Sequence, residues 1–156
     1  MPKKLRYFRD FRIHKHYLTR VAERVNNWDL VDSSAAALVG AHLFEGGDVT
    51  LLEKLAREKN LWRRRVGIVA THYFIRKGVF TPTLNVATLL LHDKEDLIHK
   101  ATGWMLREMG KKDLSPLREF LDAHAATMPR TMLRYAIERM TEKERKAYMG
   151  MGRAGR

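Results

Sequence analysis

Cysteine is absent from the 156 residues. That excludes a disulfide framework, a thiolate nucleophile and a thiolate metal site, and it suits a reducing compartment, so a cytoplasmic location is expected. Proline occurs four times and glycine ten, mostly between segments of helical periodicity. No alternating strand-like run bounded by hairpin turns is present, which argues against a β-rich fold. No stretch approaches about 18 uncharged apolar residues, and the opening MPKKLRYFRDFRIHKHY is too densely charged for a signal peptide, so neither secretion nor a membrane span is expected. Acid is the scarcer charge: 18 Asp and Glu against 30 Lys and Arg leave a formal +12. The summed field of such a chain draws polyanions, nucleic acid ahead of an anionic membrane.

What is present is a chain that is 45% hydrophobic, enough for one domain with a true core. The spacing predicts a helix over residues 14–25, with Tyr17, Leu18, Val21 and Val25 on one face. Ser33 or Ser34 is placed to cap the AAALVGAHLF segment and Asp48 the VTLLEKLARE segment, and Asn60 precedes the long LWRRRVGIVATHYFIRKG helix that Gly78 stops. Thr81-Pro82 opens a short helix to Leu91, and EDLIHKATGWMLREMG follows, closed by Gly110. DLSPLREFLDAHAAT and RTMLRYAIERM complete a domain over residues 1–140. Residues 141–156 read as a charged helical tail that frays in MGMGRAGR. Aligning Arg65-Val66, Lys100-Ala101 and Arg134-Tyr135 gives steps of 35 and 34, a period typical of stacked helix pairs. The expected fold is all-α, a curved solenoid of antiparallel helix pairs.

At about 100 degrees per residue, Trp62, Val66, Val69 and Tyr73 centre the apolar face of the long helix, while Arg65, His72 and Arg76 share a flank. In EDLIHKATGWMLRE, Trp104 lies at the apolar edge, bordered by Lys100 and Arg107. Stacked, these flanks form a basic strip. Any single arginine on it is an ordinary solvated charge; several together release counterions from a nucleic acid. The strip implies no sequence specificity, since no recognition helix or zinc finger is evident.

Against this background NNWDLVDSSA, residues 26–35, is unusual: an aromatic and two carboxylates ahead of an apolar run. Trp28 is either a core ring or a site ring, and Asp32 either a cap or a functional acid. Three ordered landmarks, NWDLVDSSA at 27–35, LWRRRVGIVA at 61–70 and HKATGWMLRE at 99–108, resemble the DNA alkylation repair family, the AlkD-like alkylpurine DNA glycosylases built of HEAT-like repeats. The resemblance runs from about residue 14 to 140. It implies that Trp28, Asp32, an arginine of the RRR run and Trp104 line a concave cleft. The helical wheel favours Arg65 for that arginine, with Arg64 the alternative. It further implies duplex DNA carrying N3- or N7-alkylated purines as substrate and hydrolysis of the N-glycosidic bond. Family members carry further repeats before the NWDLVD motif, whereas about twenty-five residues precede it here. The shortened stack is expected to bare apolar surface at that end and to favour a homodimer.

The residue types suit this chemistry. A cationic purine leaves without a general acid, and a carboxylate stabilises the positive charge that develops on the deoxyribose while orienting water. Indole faces hold a cationic base, and an arginine is expected to hold the neighbouring phosphate. Cations nearby favour the charged form of a carboxylate, a physical reason to keep an acid in a basic cleft. Phosphate contacts are expected from Arg64, Arg65, His72, Arg76, Lys100 and Arg107. No cofactor is required, and the seven histidines lack metal-ligand spacing. Ser33 and Ser34 have no nearby histidine to activate them. The alternative reading is a non-catalytic helical-repeat module whose basic strip binds nucleic acid or an acidic protein partner.

Overall fold

The computed structural model describes residues 27–152, and all regular structure among them is helical. Helix α1 (Trp28–Ala35) passes through a π-helical turn, Ala36–Gly40, into α2 (Ala41–Phe44). There follow α3 (Thr50–Ala56), α4 (Leu61–Val69), α5 (Thr71–Arg76), α6 (Thr81–Leu90), α7 (Asp96–Lys112), α8 (Leu114–His124), α9 (Arg130–Ala136) and α10 (Glu142–Gly150). The helix expected over residues 14–25 lies outside the described residues.

Short polar side chains fix several of the helix starts by accepting bonds from orphan backbone N–H groups. Asn60 accepts from the backbone of Trp62 and Arg63, Asp113 from Ser115, and Thr141 forms a reciprocal capping box with Glu144. Asp48 accepts from the backbone N–H of Thr50 at 3.1 Å. Gly78, at φ 75°, supplies the left-handed turn that ends α5.

Three boundaries differ from the sequence reading. Ser33 and Ser34 are not caps: they lie inside α1, and both hydroxyls donate back to the Leu30 carbonyl. The cap is Asn27, whose side chain accepts from the Asp29 N–H at 3.0 Å, so Trp28 and Asp32 belong to the same helix as the alanine run. The LWRRRVGIVATHYFIRKG segment is two helices offset at Ala70, where the Thr71 hydroxyl donates to the Ile68 carbonyl at 2.6 Å. Finally, α7 runs past Gly110 to Lys112. Gly110 serves packing there, since a side chain at that position would collide with Leu117 of α8.

The helices pack as a repeat solenoid. In the inner row α1 touches α4, α4 touches α7, and α7 touches α9, the last being the most extensive contact in the molecule. Helices α3 and α6 back α4 and α7 and touch each other, and α8 packs on α7. Helix α7 is therefore the axis of the stack. Its Ile98, Met105, Leu106 and Met109 are fully buried, and each such side chain contributes roughly 1.5–3 kcal/mol through the water it leaves. Helix α10 is tied on by polar contacts: Arg118 to Glu144 at 2.7 Å, and the Tyr148 hydroxyl to Asp122 at 2.9 Å. Burial, together with that bond to the Asp122 carboxylate, pushes the Tyr148 phenol up to about 12.

Candidate active-site groove

Across the inner row runs an open groove of about 450 Å³. Helix α1 contributes Trp28 and Asp32, α4 contributes Arg65, α7 contributes Leu97, Lys100, Trp104 and Arg107, and α9 contributes Tyr135. All four residues that the sequence singled out for the cleft, Trp28, Asp32, Arg65 and Trp104, meet here although they are spread over three helices.

Trp28 and Asp32 are one helical turn apart and so share a face of α1. Trp28 is 54% exposed, an unusual state for an indole and incompatible with a core role. Trp104 is partly buried against the hydrophobic core and lies beside His72, with ring centroids 6.0 Å apart. One ring thus projects from the wall while the other is braced within it.

Asp32 and Arg65 form the floor. Arg65 Nε donates to Oδ1 at 2.9 Å and Nη2 donates to Oδ2 at 2.8 Å, a bidentate clamp. Arg65 Nη1 donates to the Leu97 carbonyl in the first turn of α7. Every nitrogen of the guanidinium therefore has a partner inside the protein, and the residue is only 5% exposed. The phosphate contact expected of Arg65 is not what this geometry offers. Its position is beneath Asp32, joining α1, α4 and α7 and fixing the carboxylate, whose outer face remains open to the groove.

Arg64 points elsewhere. Its Nε donates to Asp93 Oδ2 at 2.7 Å, and its Nη1 donates to the carbonyls of Glu58 and Lys59. It ties the turn before α4 to the turn before α7 and does not line the groove, so the choice left open between the adjacent arginines falls to Arg65. Arg76 stacks over the Tyr73 ring at 5.4 Å and is exposed outside the groove lining. His72 also lies outside the lining. Burial, reinforced by Arg76 and opposed by Glu108, holds its imidazole below the ordinary value, so at neutral pH it supports Trp104 as an uncharged ring.

Lys100 and Arg107 supply the cations of the groove wall. Lys100 pairs with Asp96 at 3.0 Å, an i,i+4 contact along α7. The hydrogen bond and charge of Asp96 raise its ammonium above the usual lysine range. Arg107 pairs through Nη1 with Glu138, which is half-exposed at the rim. Its Nε is buried without a hydrogen-bond partner, 3.7 Å from Glu108.

Two lining residues were missed in the sequence. Leu97 acts through its main-chain carbonyl, which no side-chain pattern reveals. Tyr135 had a signal: groove residues Asp32, Arg65, Lys100 and Tyr135 follow one another at steps of 33, 35 and 35, so the repeat register leads to Tyr135, one residue beyond the arginine chosen for alignment. Among the described residues no group of three or more His, Asp or Glu side chains converges as a metal site. No described helix is long and apolar enough to cross a membrane.

The family model described as DNA alkylation repair enzyme matches residues 3–140. Comparison with curated proteins gives no match.

Proposed function

Because the chain belongs to the DNA alkylation repair family, and so to the repair of alkylated DNA, we propose that it is a monofunctional DNA glycosylase for cationic N3- or N7-alkylated purines in duplex DNA. The observation that carries this reading is the clamped Asp32 facing the groove between Trp28 and Trp104.

Alkylation at N3 or N7 leaves the purine with a positive charge. When the bond from C1′ to the base nitrogen stretches, its electron pair neutralises that charge and the base departs without a proton donor. Positive charge then grows on the deoxyribose. A carboxylate fixed beside it stabilises that charge, and preorganised groups of this kind are typically worth about 10²–10³ in rate. Water adds its oxygen to C1′ and loses a proton, and Asp32 is the group placed to orient it. Arg65 is the positioning residue. It takes one lone pair of each Asp32 oxygen and leaves the outer lone pairs for water and sugar.

Trp28 and Trp104 present faces that attract a cationic base, by about 0.5–2 kcal/mol each. That attraction favours the alkylated purine over its neutral parent. Lys100 and Arg107, on the same wall, hold the backbone. Since Arg65 is consumed by Asp32, they replace it as the phosphate contacts. The test is release of free alkylated base, with matching abasic sites, from N-methylated duplex by the intact protein. Release that is lost on removing Asp32 supports the proposal; tight duplex binding without any release rejects it.

A further inference from the structure

Tyr135 has no part in that scheme, yet the fold fixes it in the groove. At position 103 a Cβ would lie 2.5 Å from the Met132 carbonyl oxygen and 2.6 Å from the Tyr135 Cβ. The absence of a side chain at Gly103 is thus what lets α9 close onto α7, and it sets Tyr135 against the residue preceding Trp104. The ring is half-buried while, among the described residues, no hydrogen bond reaches its hydroxyl. Tyr148 provides the contrast, its hydroxyl donating to Asp122 at 2.9 Å. A phenol held in an open polar groove with no acceptor within the protein keeps its O–H available to a ligand oxygen.

The surroundings say which acceptor fits. Lys100 and Arg107 line the same wall, and each is tethered by a carboxylate outside the lining, Asp96 and Glu138 respectively. The ligand that completes this set carries negative charge and offers oxygen acceptors. In the inner row Tyr135 stands on α9, at the far end from Trp28 on α1, so a strand that runs along the row with a nucleotide over Asp32 brings a neighbouring phosphate to Tyr135. We infer that Tyr135, with Lys100 and Arg107, forms a phosphodiester subsite beside the alkylated nucleotide, its hydroxyl donating to a non-bridging phosphate oxygen. The inference rests on the reading that duplex DNA occupies the groove. It does not require that the bond be cleaved.

The experiment measures binding of the intact chain to a fluorescently labelled, unmodified duplex across a salt series. Removing only the hydroxyl, Tyr135→Phe, weakens binding roughly 10–150-fold, as loss of one hydrogen bond to a charged acceptor does. It leaves the thermal midpoint and the salt slope unchanged, because the lost donor is neutral and bonds nothing within the protein. Lys100→Ala weakens binding and lowers the salt slope by about one. Wild-type affinity in Tyr135→Phe overturns the inference. So does weakening confined to Tyr135→Ala with an unchanged melt, since the ring would then be the contact. If the wild type binds duplex, loses affinity in Tyr135→Phe and releases no alkylated base, the glycosylase reading falls and the subsite stands. If it fails to bind duplex at low salt, both fall.

Discussion

Arg64 and Arg65 are neighbours in the chain, and each grips an aspartate with two guanidinium nitrogens. The two clamps nevertheless do different things. Asp93 sits in the turn before α7 with 8% of its side chain exposed; besides Arg64 it accepts from the Glu95 backbone at 2.9 Å. All of that carboxylate is committed to joining one turn to another. Asp32 has twice the exposure, 16%, and its open side is the floor of a groove walled by indoles and cations. One helical step of about 100 degrees turns the same residue pair from an internal strut into a presented acid.

Ways to break this comparison follow in order of expected size. Replacing Arg65 by Met removes the clamp and leaves Asp32 free to swing. Misplacement of a catalytic group by an ångström costs about 10²-fold, so base release from methylated duplex falls by that order, while the salt slope of binding, for which Arg65 is not a phosphate contact, is unchanged. Asp93→Asn tests the other clamp. It removes a charged acceptor from the partly buried Arg64 and costs about 1–3 kcal/mol of stability, read as a lower denaturant midpoint. Base release per folded molecule stays within about threefold of wild type. Trp104→Ala deletes one aromatic wall, and the lost cation–π attraction of about 0.5–2 kcal/mol lowers release of the charged base by roughly 2–30-fold. The smallest effect is expected for Glu138→Gln, which frees Arg107 from an exposed ion pair of about 0.2–1 kcal/mol. It tightens binding to unmodified duplex up to about fivefold at low salt, and the gain vanishes when Arg107 is already alanine.

Much of this was readable in the sequence, and what was not has physical causes. The Asp48 contact at the start of α3 and the stop at Gly78 were legible because a side-chain oxygen or a positive φ leaves a local signature. The Ser33-Ser34 assignment failed because serine satisfies its hydroxyl equally well by back-bonding within a helix, as both do to Leu30. The offset at Ala70 was hidden because periodicity persists across it. Trp28, Asp32, Arg65 and Trp104 were found together because three ordered motifs resemble those of the DNA alkylation repair family, the helical wheel serving to choose Arg65 over Arg64. Their partners were harder to foresee. Charge on a helical wheel does not show that Arg65 spends its donors on Asp32 and Leu97, nor that burial leaves His72 uncharged. Tyr135 depends on the close approach that Gly103 permits, a tertiary fact.

The most direct measurement sets Asp32→Asn beside Asp93→Asn and the wild type in one single-turnover assay of methylpurine release, each rate corrected for the folded fraction. The account predicts that Asp32→Asn loses about 10²–10³ of the rate, while Asp93→Asn, though less stable, keeps nearly all of it. Equal loss in the two variants, or release undiminished in Asp32→Asn, would contradict it.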